Sequence, residues 1–255
     1  MTLLATDQLH VSIAHKKICA DLSLSIRSGQ CWGLLGANGV GKTTLLYTLA
    51  GLRPVDSGQI LLKQQSITEM KRREIAATLG VLPQDSSDPF PANVFETVLI
   101  GRHPHLSSWQ WEGEKDFALA RAALENVGMQ GFEERQVDTL SGGERRRLAI
   151  ATLLTQQAPL MLLDEPTNHL DLRHQISMLS LLVETAGKTA GAVLMSLHDI
   201  NLAVRFCDHL LLLMPDGQVM QGTTNEMLEP EILQSLYDCT LRRIETEEGL
   251  VLLPE

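Results

Sequence analysis

The stretch Gly36-Ala37-Asn38-Gly39-Val40-Gly41-Lys42-Thr43 constrains this chain more than any other. It matches G-x-x-x-x-G-K-[ST] between a strand pattern and a helix pattern. Gln30 to Leu35 is a short, mostly apolar run that reads as a buried strand. Glycines at this spacing let backbone N–H groups turn inward onto phosphate oxygens, and the helix that follows offers free N–H groups and its positive dipole end. Lys42 would reach the outer phosphates, and the Thr43 hydroxyl would ligate magnesium. A plain Gly-rich turn is the competing reading; the strand before and the helix from Thr44 onward favour a phosphate cradle.

A second apolar run, Pro159 to Leu163, ends in Asp164-Glu165. An acid at the tip of a buried strand is costly unless it meets a cation or donors. Asp164 fits a magnesium-side acid, and Glu165 is placed to orient or deprotonate a water attacking a terminal phosphate. Between the two motifs lies Leu140-Ser141-Gly142-Gly143-Glu144, where Ser141 caps a helix and two glycines expose backbone N–H groups. A second anion cradle in one chain suggests a nucleoside triphosphate bound between two copies.

With these three motifs in this order, residues 1 to 230 resemble the nucleotide-binding subunits of ATP-binding-cassette (ABC) transporters. The resemblance implies a P-loop α/β fold: a parallel-sheet core, an N-terminal antiparallel β-subdomain and a helical insert. It implies ATP and Mg2+ as ligands. Gly36 to Thr44 would hold the phosphates, and Ser141, Gly142 and Gly143 would grip ATP held by the opposite subunit of an ATP-sandwich homodimer. Gln84 matches the glutamine that touches magnesium and senses the permease. Asn168-His169-Leu170-Asp171 resembles the D-loop. His198, 33 residues after Glu165, resembles the switch histidine that contacts the terminal phosphate. The catalytic set is thus Glu165, His198 and Gln84, and the magnesium set Thr43, Gln84 and Asp164. One feature departs from the family. The position that usually stacks an aromatic ring on adenine falls on Ile13, which with His15 lacks that stacking surface.

Composition restricts the partners. Net charge is −10, with no basic tail or stripe, which argues against nucleic acid. Cys19, Cys31, Cys207 and Cys239 form no C-x-x-C pair and read as free thiols. No apolar run approaches the length of a membrane span, and Met1–Asp7 lacks the pattern of a signal peptide. The expected location is therefore peripheral, on the cytoplasmic side of the plasma membrane, through a partner.

Punctuation divides the chain. Residues 3–28 read as antiparallel strands, with Leu22, Leu24 and Ile26 alternating with serines. Gly51 is expected to end the first helix. Asn93 can cap a helix Val94–Ile100, and Glu114–Val127 carries helical spacing before Gly128. Residues 1–85 and 141–222 form the expected core, 86–140 the helical signature subdomain and 223–255 a C-terminal extension with a short helix and a hairpin around Glu247-Glu248-Gly249. Val98 to His105 is similar to a stretch of metal-chelate importers (cobalamin, ferric siderophore, haem). By the resemblance, a transmembrane permease docks between Gln84 and Gly101, and a periplasmic or surface binding protein acts indirectly. Asp88-Pro89-Phe90-Pro91 reads as a docking loop. His103 and His105 have no evident third ligand, and Pro104 between them suits a loop. A soluble cluster-assembly ATPase and an exporter ATPase are the rival functions.

Overall fold

The computed structural model describes residues 1–14, 16–84, 91–107, 109–246 and 249–254. His15, most of the expected docking loop at 88–91 and the hairpin tip Glu247-Glu248 lie outside the described residues. The strands are β1 (Thr2–Ile13), β2 (Lys16–Leu22), β3 (Ser25–Arg27), β4 (Cys31–Leu35), β5 (Ser57–Leu62), β6 (Gln65–Ser66), β7 (Leu79–Leu82), β8 (Leu160–Leu163), β9 (Ala192–Ser196), β10 (His209–Leu213), β11 (Val219–Thr223), β12 (Leu241–Thr246) and β13 (Gly249–Pro254). The helices are α1 (Lys42–Leu49), α2 (Arg72–Thr78), α3 (Val94–Leu99), α4 (Glu114–Asn126), α5 (Gly142–Gln156), α6 (Leu172–Lys188), α7 (Ile200–Phe206), α8 (Thr224–Met227) and α9 (Pro230–Tyr237).

Among the described residues, one sheet runs β11-β10-β4-β9-β8-β7. Its five strands from β10 to β7 are parallel, and β11 adds an antiparallel edge. Strands β4, β8 and β9 are buried along their whole length, as continuous apolar runs covered on both faces must be. A second sheet pairs β1 with β2, β3 and β5 in antiparallel fashion. The alternation of Leu22, Leu24 and Ile26 with polar neighbours survives as burial of these three side chains.

The helix limits carry their expected chemistry. After α1, Gly51 takes φ +67°, its N–H donates to Thr48 O (2.9 Å), and the Leu52 N–H donates to Tyr47 O (2.9 Å). These are the two carbonyls a left-handed C-terminal cap satisfies. Asn93 Oδ1 accepts the Glu96 N–H at 2.8 Å and starts α3.

Two expectations differ in detail. Helix α3 ends at Leu99, and Ile100–His105 continues as a 3-10 turn with Pro104 inside it rather than as a loop. The cause is Arg102, buried at 5 % exposure, whose guanidinium donates to Asp116 Oδ1 (2.8 Å) and Thr155 O (2.9 Å), pinning the turn between α4 and α5. Val98 and Leu124 of the insert and Leu153 of α5 belong to one buried cluster with Leu163 and Met195 of the sheet. No described helix is long and apolar enough to cross a membrane.

Candidate active site

Four loops leave the carboxyl ends of neighbouring parallel strands: the glycine loop after β4, Gln84 after β7, Asp164-Glu165 after β8 and His198 after β9. The registers Leu82↔Leu163, Leu163↔Met195 and Leu34↔Ser196 level these ends with one another. A crevice at this edge is where open α/β sheets bind ligands. Here it is a cleft of about 450 Å³ lined by Asn38, Gly39, Gly41, Lys42, Thr43, Thr44, Gln84, Glu165 and His198.

The glycine loop is shaped from beneath. A Cβ at Gly36 would come within 2.7 Å of Leu213 O, and one at Gly41 within 2.6 Å of Ile18 Cδ1; both residues hold positive φ, 153° and 121°. Larger residues would lift the loop off β10 and β2. Val40 commits its side chain to the core at 4 % exposure, and its N–H closes a turn onto Ala37 O at 3.2 Å. Lys42 opens α1, is 6 % exposed, and donates from Nζ to Gly36 O (2.8 Å) and Ala37 O (3.3 Å). Burial pushes its ammonium below the ordinary lysine range, against the nearby Glu165 and Asp164 carboxylates, which favour the charged form.

The two acids have different surroundings. Asp164 is 1 % exposed; Oδ1 accepts from Ser196 Oγ at 2.7 Å, and Oδ2 has no hydrogen-bond partner among the described residues. A buried carboxylate oxygen left open, in a side chain near enough to Lys42 to favour its charge, fits a divalent cation. Glu165 takes φ +47°, a left-handed conformation uncommon for a residue with a side chain. Its N–H donates to Ser196 Oγ at 2.8 Å. Gln84 Nε2 donates to Glu165 Oε2 at 3.1 Å, and Asn168 Nδ2 donates to the same oxygen. His198 Nε2 lies 2.5 Å from Glu165 Oε1. The carboxylate faces the cleft with both oxygens held.

Other expected residues stand elsewhere. Ser141 caps α5: its hydroxyl accepts the Glu144 N–H (3.3 Å), and Glu144 Oε2 accepts the Ser141 N–H (2.8 Å). That N–H, then the Ser141 hydroxyl and the Arg135 guanidinium, hold the Glu144 carboxyl below its usual range. Ser141 and Gly142 are exposed, Gly143 lies against His169, and none of the three lines the cleft. Asp171 caps α6, accepting the His174 N–H at 2.9 Å. Ile13 is half-buried at the end of β1, outside the cleft lining. His105 Nε2 is 2.7 Å from Gln156 O and His103 Nε2 is 3.7 Å from Glu112, so the two rings go to separate partners.

Three supporting residues were not foreseen in these roles. Ser196 reads as the polar end of an apolar strand. Lys16, whose Nζ donates to Gly39 O at 2.7 Å, reads as a solvated charge. Arg146 sits in the run Arg145-Arg146-Arg147, which looks like one exposed cluster, yet Arg146 is 4 % exposed. Helical spacing could have singled it out, since Arg146 shares a face with the apolar Ile150 and Leu153.

Comparison with known proteins agrees with this geometry. The ABC transporter family profile matches residues 19–168. The iron(3+)-hydroxamate import ATP-binding protein of Bacillus subtilis is 36 % identical, covering 93 % of this chain and 88 % of that protein. The hemin import ATP-binding protein of Shewanella denitrificans is 34 % identical, covering 97 % and 98 %. Among solved structures, one described as a metal-chelate type ABC transporter in an inward-facing conformation superposes with a TM-score of 0.86 at 28 % identity, over 100 % of this chain and 98 % of that one. The converging loops, the glycine cradle and these relatives give one conclusion: the chain belongs to the ABC transporter family.

Proposed function

We propose that the chain hydrolyses ATP as one half of a head-to-tail dimer and thereby drives uptake of a metal chelate through a separate membrane permease. One observation carries the shared site. The cleft holding Lys42, Glu165 and His198 is not lined by the chain's own Ser141-Gly142-Gly143 cradle, whose Ser141 and Gly142 stand exposed at the start of α5. A second copy would bring its cradle to the terminal phosphate, with Asp171 and the rest of the D-loop at the seam.

In this reading Gly36 to Thr44 bind the phosphates through backbone N–H groups, and Lys42 supplies the charge-assisted bonds. Thr43, Gln84 and Asp164 would hold Mg2+, which when bound offsets the phosphate charge. Glu165 orients the attacking water and takes its proton as the water oxygen bonds to the terminal phosphorus and the bond to the ADP oxygen breaks. His198 aligns the carboxylate and then the phosphate. Ile13 offers the base an aliphatic contact in place of a stacked ring.

Coupling to a permease is supported by an apolar groove of about 220 Å³ between Val81, Pro83, Thr97, Ile100, Arg145 and Thr152. Ile100 is half exposed there, at 51 %. The chain would then sit peripherally on the cytoplasmic face of the membrane, with a binding protein on the far side delivering cargo. Relatives named for iron(3+)-hydroxamate and hemin support the chelate class. Uptake of radiolabelled ferric hydroxamate, haem and cobalamin by cells lacking this chain tests the assignment. One of the three should fall to background and return with the parent chain but not with Lys42→Ala. Normal uptake of all three overturns the importer reading.

A further inference from the structure

Five hydrogen bonds from the Arg146 side chain go to the backbone of the catalytic loops. Nε donates to Pro166 O at 3.1 Å. One terminal nitrogen donates to Pro83 O (2.5 Å) and Gln84 O (3.2 Å). The other donates to Asp164 O and Glu165 O, each at 2.6 Å. A guanidinium has five N–H donors in a rigid fork, enough to serve all five carbonyls. The acceptors belong to two loops that have just left the sheet ladder at the ends of β7 and β8. Buried carbonyls there require donors that neighbouring strands no longer supply.

The placement matters as much as the number. Arg146 lies in the second turn of α5, whose first turn presents the exposed Ser141-Gly142 cradle. Its fork grips the backbone on both sides of the Glu165 side chain and at Gln84, the residue that donates to the Glu165 carboxylate. Glu165 stands in a left-handed conformation that its surroundings must maintain. A lysine ammonium has three donors and no planar fork, and so cannot hold these five acceptors together.

We infer that Arg146 is a positioning residue for hydrolysis: it ties the helix behind the signature cradle to the backbone bearing Glu165 and Gln84, so that the placement of that helix sets the geometry of the catalytic carboxylate. The inference rests on Glu165 being that carboxylate. Arg146 is not among the residues that line the cleft. It acts on kcat through Glu165, while the phosphate contacts of Lys42 and the glycine loop stand apart from it.

The test uses full-length Arg146→Lys, Arg146→Gln and Arg146→Ala beside Glu165→Gln. Steady-state hydrolysis gives kcat and KM, and calorimetry gives the affinity for Mg-ATP. Circular dichroism checks the fold. All three Arg146 variants should bind Mg-ATP within about threefold of the parent while kcat falls about tenfold to a hundredfold, as expected when an interaction acts on the transition state and not on ground-state binding. Free guanidinium at tens of millimolar should restore part of the lost kcat to Arg146→Ala and none to Glu165→Gln. Three results overturn the inference: an unchanged kcat in Arg146→Lys and Arg146→Gln, a parallel loss of kcat and Mg-ATP affinity, or loss of fold in all three, which would make Arg146 a structural clasp. Full turnover in Glu165→Gln is a separate failure, of the carboxylate assignment itself.

Discussion

Lys42 shows how a sequence motif becomes a physical device. Its ammonium sits under the glycine loop, bonded to Gly36 O and Ala37 O, with burial lowering its proton affinity. In the proposed site, incoming phosphate oxygens would add partners for the charged form. Lys42→Ala should weaken Mg-ATP binding by more than about tenfold, given about 1.5–3 kcal/mol for hydrogen bonds to charged groups; titration calorimetry on the purified chain measures it, and near-parental affinity would contradict the role. Ser196 is the less visible device. One hydroxyl donates to Asp164 and accepts from the Glu165 N–H, at a site with 0 % exposure. Ser196→Ala leaves both groups short of a partner and should destabilise the fold by about 1–3 kcal/mol, seen as a lower urea midpoint. Turnover should fall with it. The two residues also differ in how easily they are read: Lys42 lies inside a pattern of fixed spacing, whereas Ser196 acquires its task when β9 pairs between β4 and β8.

At the scale of elements, the parallel strands and their loops were legible because both signals are local. The apolar runs read at 30–35, 159–163 and 192–196 hold strands fully buried over 31–35, 160–163 and 192–196, and Asn93, Ser141 and Gly51 capped the expected helices. The turn Ile100–His105 was less legible, because its conformation depends on Arg102 meeting Asp116 and Thr155 across the insert. That pair carries a pH signature. The Gly113 N–H and then Arg102 hold the Asp116 carboxyl below its usual range. A carboxyl whose folded pKa is depressed contributes stability that is present above its unfolded value, near 4, and is lost as pH falls through the folded value. Urea unfolding of Asp116→Asn should therefore show a shallower loss of stability below about pH 4 than the parent. Equal slopes would show that Asp116 does not report this contact.

Over the whole molecule, the fold brings four loops to one sheet edge and leaves Ser141, Gly142 and Gly143 outside the lining of the cleft those loops form. The order of motifs along the chain suggested a site completed by a second copy, since a second anion cradle opens α5 apart from the glycine loop. What the sequence withheld was the linkage between them: Arg146, hidden in a run of three arginines, spans from α5 to the loops of Gln84 and Glu165. The central claim is that Glu165 performs the chemistry in a site closed by a partner's Ser141-Gly142-Gly143. Glu165→Gln keeps the shape and an acceptor oxygen but removes the charge that polarises water, and it leaves Lys42, Thr43 and the cradle intact. The most direct measurement is hydrolysis by this variant together with size-exclusion chromatography in Mg-ATP. Turnover should fall by about a hundredfold to ten-thousandfold, Mg-ATP should bind at least as well as to the parent, and the variant should elute as a stable dimer that the parent populates briefly. Parental turnover by Glu165→Gln, or a variant that remains monomeric with ATP bound, would contradict the account.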